Sequence, residues 1–375
     1  MKKALPIFIL SMLLLAACSS GRKALEKGNY TKAVEQSVKR LQSSPDNDDA
    51  LATLPLAYKL AVKNVKGNIE RARASADDYR WEEIVSNYET INYLYDQVQA
   101  CPVCNTIVKN PEDATAELGS AREAAAEVRY QMALSALEQK QNRAQALTAV
   151  GHLQTALNYV SNYKDSRNLL DEALFYATLK VVVEPVQVPR NLQYSQDFFT
   201  NKMNEYLHRA NINPYVRFYT PAEVEAENLP WVDHVVIMQF DQFTLGDIII
   251  NTENYNLKKD SVVLKDRRGV KTYGTVTAKF KEHTKTVIGS GVLDFKVVDE
   301  NLNKVIGQEK FASTYEWSTQ WASYNGDDRA LTADQKAMAE LREPPIPAPQ
   351  FMFEQFANPI FDQVTNKIAN FYRHY

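Results

Sequence analysis

The residues best spaced for chemistry are Cys101-Pro102-Val103-Cys104. Two thiols at this spacing form a redox pair when the first sits at a helix N-terminus, where the positive dipole end favours thiolate. Here the pair follows a helical pattern running from Trp81 to Ala100, and no strand leads into it. A helix C-terminus has the opposite charge and raises a thiol pKa. A structural pair is therefore the first expectation, and a thiol-disulfide oxidoreductase the enzymatic alternative. Zinc needs about four ligands, and the nearest histidine in sequence is His152. None of His152, His208, His234, His283 and His374 has a partner at metal-binding helical spacing, so no metal is expected. Gly289-Ser290-Gly291 is the nearest fragment to a nucleophile elbow, does not fit it, and reads as a bulge at a strand start. Phosphate-loop and dinucleotide glycine patterns are absent. Asp77-Asp78, Glu82-Glu83 and Asp327-Asp328 read as solvated turns and helix starts. No catalytic set emerges, so neither an enzyme nor a cofactor is expected. Tyr315, Trp317 and Trp321 occupy alternate positions of one extended stretch. That row is either a protein interface, where Trp and Tyr are enriched, or a strand face packed on the last helix.

The N-terminus carries a different chemistry. Met1-Lys2-Lys3 is a positive head, Leu5 to Leu15 is apolar but for Pro6 and Ser11, and Ala16-Ala17 precede Cys18. This is a secretory signal; its apolar run is shorter than the roughly 20 residues that span a bilayer. Leu15-Ala16-Ala17-Cys18 resembles the lipobox of bacterial lipoproteins. The resemblance implies removal of residues 1–17, diacylglycerol on the Cys18 sulfur and acylation of the new amine, so that lipid holds the protein to a membrane. In that family an Asp just after the cysteine tends to retain the protein at the inner membrane. Ser19 and Ser20 stand there instead, and no acidic run follows, which implies the periplasmic side of the outer membrane. With Cys18 lipidated, Cys101 and Cys104 are left as an even pair in an oxidising compartment, where one disulfide is expected.

The full chain carries 43 Lys plus Arg against 46 Asp plus Glu. Losing Lys2 and Lys3 gives 41 against 46, a mature charge of about −5, without the basic footprint of a nucleic-acid-binding protein. Its 375 residues, 45% hydrophobic, suffice for two domains.

The pattern changes near residue 179. Before it, alanine-rich helices alternate with short turns. One helix ends near Ser43, Ser44-Pro45-Asp46-Asn47 is a break, and Asp48 or Asp49 is the expected cap of the next, which carries Leu51, Leu54, Tyr58 and Val62 on one face. Gly28, Tyr30, Ala33 and Pro45 sit at the offsets of a tetratricopeptide repeat's second helix and terminal proline, a resemblance fading by Gly67. Ser37 and Arg40 depart from it. Later helices are expected from Trp81, from Pro111 to about Lys140, from Ala144 to Val160, and from a Ser166 cap to Thr178. The layout is that of an α-solenoid.

After residue 179 strands dominate. Leu179–Val183 is a strand, Ser195 caps a helix, Tyr215–Tyr219 is a strand and Ala222–Asn228 a short helix. His234–Phe240 is expected to be a central strand buried on both faces. Thr275–Phe280, Val292–Val298 and Val305–Tyr315 read as three antiparallel strands, the last two joined by a hairpin loop. Residues 343–349 are a Pro-rich linker, and Phe353 to Ile368 a last helix. The expected class is α+β: a repeat-like helical domain, 18–178, then an α/β domain, 179–375, with a mixed, largely antiparallel sheet. Lys180-Val181-Val182-Val183, the strand after Trp231-Val232-Asp233, the hairpin Phe295 to Ile306 and the terminal helix resemble the periplasmic domain shared by the curli-secretion channel lipoprotein and the lipoprotein activator of penicillin-binding proteins. Phe243 to Gly274 departs from that pattern as an inserted hairpin or loop.

The resemblance implies docking on a partner protein or self-assembly. The first expectation is a non-enzymatic scaffold or adaptor in envelope biogenesis or secretion, bound to the membrane through Cys18 and to a protein partner. A homo-oligomeric export channel is the rival. Ile248-Ile249-Ile250, Lys258-Lys259-Asp260 and Asp266-Arg267-Arg268 give that rival poor strand alternation.

Overall fold

The computed structural model describes residues 20–188, 193–265, 267 and 269–375, with only the backbone of 193–195. The expected signal segment, Cys18, Pro189, Asp266, Arg268 and the Ser195 side chain lie outside the described residues. The fold is α+β: helices fill the first part and a mixed sheet the second. The chain divides into two compact units between Ala177 and Thr178.

The first unit comprises α1 (Arg22–Glu26), α2 (Tyr30–Ser43), α3 (Asp48–Arg73), α4 (Arg80–Gln99), α5 (Pro102–Ile107), α6 (Thr115–Leu137), α7 (Arg143–Tyr159) and α8 (Ser166–Ala177). Each long helix packs on the next: α2 on α3, α3 on α4, α4 on α6, α6 on α7, α7 on α8. Two successive clusters fill the stack from α1 to the first part of α6. Val34, Leu41, Leu54 and Leu94 belong to one, and Ile69, Ile84, Ile91 and Leu118 to the next. Alanines (Ala33, Ala57, Ala125, Ala126, Ala149) are fully or almost fully buried and let the helix backbones approach. Local chemistry corrects two expected caps. Asn47, not Asp48 or Asp49, caps α3 by accepting from the Ala50 N–H; the aspartates fill its first turn, where the dipole favours them. Ser166 lies inside α8 with its Oγ buried and without a hydrogen-bond partner. Gly67, where the repeat pattern fades, lies inside α3, which continues to Arg73 as one 26-residue helix.

The second unit comprises β1 (Leu179–Val183), α9 (Gln193–Arg209), β2 (Val216–Tyr219), α10 (Pro221–Ala226), β3 (His234–Leu245), β4 (Ile249–Lys265), β5 (Lys271–Asp299), β6 (Lys304–Gly326), a 3-10 turn (Asp328–Ala330), α11 (Ala333–Glu340) and α12 (Pro349–Tyr372). Strand β1 runs parallel to both β2 and β3. The 29-residue β5 organises the rest. On one edge β3 pairs with its Gly289–Asp299 half and β4 with its Lys271–Thr286 half; β6 pairs along the other edge. The two strands expected at Thr275–Phe280 and Val292–Val298 are thus one. Strand β3 has neighbours on both edges, but its burial alternates: His234, Val236, Met238 and Phe240 are buried, while Val235 and Ile237 are only half-buried. It is therefore not buried on both faces.

Helices α9 and α12 cover one face of the sheet, with Phe199, Met203, Phe353, Phe356, Ile360 and Val364 in the core. Gly289-Ser290-Gly291 lies in mid-strand, not at a strand start. A Cβ on Gly291 would stand 2.2 Å from Phe356 Cε2, and one on Gly289 3.3 Å from Met352 Cε. These glycines let α12 seat against β5.

Beyond the helices, β4, β5 and the end of β6 continue as an arm, the inserted hairpin expected between Phe243 and Gly274. Ala278 and Phe280 of β5, Ala322 of β6 and Leu331 form a small cluster there, with Leu257, Met338 and Ala339 against it. The register puts Ala278, Phe280, Leu257 and Ala322 on one face. The chain returning from β6 thus covers that face through α11. It then crosses to the opposite face, where the Pro344 carbonyl accepts from Lys285 Nζ at 3.0 Å and Glu343 pairs with the same ammonium.

Candidate interaction surfaces

Cys18 and Ser19 lie outside the described residues, which begin at Ser20. The Ser20 carbonyl accepts a hydrogen bond from Ser37 Oγ at 2.8 Å, and that hydroxyl also donates to the Ala33 carbonyl. Gly21 has φ +84°, and a Cβ there would meet Ser37 Oγ at 2.3 Å and the Ala33 carbonyl at 2.4 Å. Ser37, a departure from the repeat pattern, is therefore the residue that ties the N-terminus onto α2. A single residue, Ser19, separates Ser20 from Cys18, so any anchor there would lie within about 7 Å of backbone reach of Ser20. Arg22, Lys23, Lys27, Lys32, Lys39 and Arg40 make this end basic.

Cys101 and Cys104 are bonded, with 2.02 Å between the sulfurs. Cys101 is the N-cap of α5, and its Sγ accepts from the Cys104 N–H at 3.3 Å. The sequence places the pair at a helix C-terminus; in fact it closes α4 and opens α5, because Pro102 fits the first helical turn. The electrostatic objection to a reactive thiol therefore falls. Burial replaces it: Cys101 is 1% exposed and Cys104 0%, packed with Leu94, Val98 and Val108. A buried sulfur offers an incoming thiolate no access.

Tyr315, Trp317 and Trp321 share one face of β6, and each is half-buried. Tyr315 packs against the main core, its ring 6.2 Å from Phe351 of α12. Trp317 lies opposite the buried Val287. Trp321 stacks on His283 at 5.1 Å, with Lys285 Nζ 5.4 Å from its ring. The row therefore packs partly on the last helix and partly beside the returning linker.

The histidines do not converge. His152 meets Arg129, His208 pairs with Glu223 at 2.8 Å, buried His234 faces the Tyr372 hydroxyl at 3.3 Å, and His283 faces Thr252 Oγ1 at 2.9 Å. Among the described residues no group of three or more His, Cys, Asp or Glu could hold a metal. Of the carboxylate pairs, Asp77 and Asp327 accept from backbone N–H groups at Tyr79 and Arg329, as turn residues do. Glu82 departs from the solvated reading. It accepts from Arg129 Nε at 2.5 Å, and the guanidinium lies 4.2 Å from the Tyr79 ring centroid and 3.1 Å from His152 Nδ1. Burial, and then the Arg129 charge, hold the His152 pKa below its ordinary value. This half-buried knot joins α4, α6 and α7, and sequence reasoning missed it because its members lie far apart in the chain.

Two half-buried carboxylates are strongly shifted. Glu223 is lowered to about 2 by the Thr220 N–H and then by His208, closing the capping box of α10. Glu127 is lowered to about 2 by Lys164, Tyr163 and Gln131, which fastens the α7–α8 turn onto α6. Lys180 is 1% exposed, with Nζ 4.4 Å from the Trp231 ring centroid and 3.2 Å from the Thr178 carbonyl. Burial lowers its pKa, and Asp233 opposes that shift.

No protein-family model matches the chain, and no curated protein matches it. Among solved structures, a neuraminyllactose-binding hemagglutinin homolog from Helicobacter pylori is 9% identical, with a TM-score of 0.26 over 52% of this chain and 84% of that one. A hypothetical protein from Chlamydia trachomatis is 11% identical, with a TM-score of 0.25 over 52% of this chain and 96% of that one. Likeness at this level assigns neither fold nor function.

Proposed function

We propose that this chain is a non-enzymatic lipoprotein on the periplasmic side of the outer membrane, acting as a protein-binding scaffold. The serial packing of the helical unit carries the reading. Each helix gives one face to its neighbours in the stack, and such stacks offer long open surfaces for partners. Leu56, Tyr93 and Phe175 are exposed on it. The lipobox resemblance at Leu15-Ala16-Ala17-Cys18 supports the tether, and the basic end at α1 and α2 is suited to anionic headgroups. The test is crosslinking of the tagged protein in cells, with mass spectrometry of the captured species, beside a Cys18→Ser variant. A defined partner, and release of the variant but not the parent from the membrane fraction by a high-salt wash, are expected. A regular ladder of self-adducts with no second protein would overturn the scaffold.

The arm favours a second reading, a subunit of an oligomeric export channel. Its 17-residue β4 exceeds the roughly 9–11 residues that cross a bilayer in a barrel. Tyr255, Leu257, Val262 and Leu264 share one face of it with Val276, Ala278 and Phe280. The ladder of self-adducts would put this reading first.

A further inference from the structure

The second unit is electrically divided. Residues 249–286 carry nine Lys or Arg against four Asp or Glu, a net +5, whereas the rest of the unit carries 13 against 21, a net −8. The register shows where the arm's charge lies. Opposite the face that α11 covers, β4 and β5 present the pairs Asn254–Lys281, Asn256–Lys279 and Lys258–Thr277, then Val263–Tyr273 and Lys265–Lys271 beyond the bulge. Every one of these residues is exposed. No ion pair involves Lys271, Lys279 or Lys281 among the described residues.

The end of the arm adds a second, independent feature. Strand β6 stops pairing at Ala278, so the last stretch of β4 and β5 is a two-stranded tip about 20 Å long. Gly269, at φ +79°, helps turn it. Val263 (40% exposed) and Tyr273 (79%) face each other across the strands, with Val270 (56%) at the turn. Apolar and phenolic side chains so exposed, ringed by Lys265, Arg267 and Lys271, form a convex prong rather than a groove. A prong of this chemistry fits a soft anionic plane: lysines meet phosphates, and a tyrosine rests at headgroup depth with its hydroxyl in water.

We propose that the tip and the lysine face of the β4–β5 arm dock on an anionic lipid bilayer surface. This docking is separate from any acyl anchor and does not rest on the scaffold reading. The test is co-sedimentation of residues 18–375 bearing Cys18→Ser, so that no acyl chain contributes, with vesicles of phosphatidylglycerol and phosphatidylcholine or of phosphatidylcholine alone. The protein is expected to pellet with the anionic vesicles, at least tenfold more weakly with the neutral ones, and less at high salt. Tyr273→Ser, and separately the combined Lys271→Gln, Lys279→Gln and Lys281→Gln, should each reduce the bound fraction several-fold with unchanged circular dichroism. All these side chains are exposed, so folding should survive, and Lys304→Gln on the exposed end of β6 serves as a neutral control. Equal pelleting with both vesicles, no pelleting with either, or variants that bind like the parent would overturn the proposal. Binding to soluble heparin without binding to vesicles would likewise overturn it, and would assign the face to a polyanion.

Discussion

Replacing Gly291 by alanine separates two opposed effects whose sizes the structure sets. In a strand, alanine is favoured over glycine by about 0.5–1 kcal/mol, because glycine loses more freedom on folding. At Gly291 the added methyl would stand 2.2 Å from Phe356 Cε2 and 2.8 Å from Cζ. Phe356 has no free volume to retreat into: it is 0% exposed, with ring centroids of Phe353 at 5.1 Å and Phe243 at 5.5 Å. Overpacking of this kind costs about 1–3 kcal/mol. Steric cost wins, leaving a net loss of about 1–2 kcal/mol, or roughly 2–8 °C in Tm for a unit of about 200 residues. Calorimetry is the assay, with transitions fitted separately because two units need not melt together. Combining the change with Phe356→Leu should recover about 1 kcal/mol relative to the sum of the single variants. Gly119 is the control: it is exposed within α6, with nothing within 4 Å of its would-be Cβ. Gly119→Ala should stabilise the first unit by about 0.8–1 kcal/mol. A Gly291→Ala protein that melts higher than the parent would refute the seating of α12 on β5.

Replacing both Cys101 and Cys104 by alanine reopens a four-residue loop, worth about 2 kcal/mol by loop-closure entropy. The first unit should lose about that much in urea unfolding, while insulin-reduction assays show no activity in parent or variant; activity abolished by the substitution would restore the redox reading. The Glu223–His208 pair should give a bounded pH response. Stability from Glu223, lowered to about 2, is present above about 4.5 and lost as pH falls toward 2. His208 is raised by Glu223 and then by the Asn204 carbonyl, so its share is complete below 6.5 and lost as pH rises through its folded value. NMR titration should find the His208 pKa above 6.5 in the parent and lower in Glu223→Gln. His152 has the opposite sign: its folded pKa is depressed, so the unfolded chain binds the extra proton. Denaturation midpoints of the first unit should fall as pH drops below about 6.5 and then level off. A His152→Gln protein that keeps the same step would disprove that assignment.

Periodicity made most elements legible. The helices from Trp81, Ala144 and Phe353 are where their apolar spacing puts them, because each buries one face, and the strand Leu179–Val183 is where its β-branched run puts it, buried at every position. Ends were harder to read where several residues compete for one role, as at Asn47 against Asp48 and Asp49. The environment of Cys101 was misjudged for a related reason: Pro102 ends one helix and starts another, and sequence spacing registers only the end. Least legible was the arm. Its alternation is real, but a break at Gly246-Asp247 and a bulge between Lys259 and Val262 each shift the phase. Ile248-Ile249-Ile250 and Lys258-Lys259-Asp260 therefore look like runs when read in line. The knot of Glu82, Arg129 and His152 needed three helices side by side before it could be seen.

The arm also shows why an amphipathic strand pattern alone does not decide between a membrane-spanning hairpin and a water-exposed one. Its apolar face, centred on Leu257, Ala278 and Phe280, is the kind of surface a barrel would turn toward lipid. Here α11 and the 3-10 turn lie over it, and Leu331, Met338 and Ala339 supply the apolar partners that lipid would otherwise provide. A channel built from this arm would require α11 to leave, exposing Phe280, now 1% exposed, and breaking the Thr332–Gln335 capping box if the helix unwound. Lys259 lies on that same face, where a charge at the middle of a bilayer costs about 2–4 kcal/mol. Docking through the opposite face requires neither change. It uses charges that are already in water and side chains that are already exposed, and leaves the small cluster beneath α11 intact.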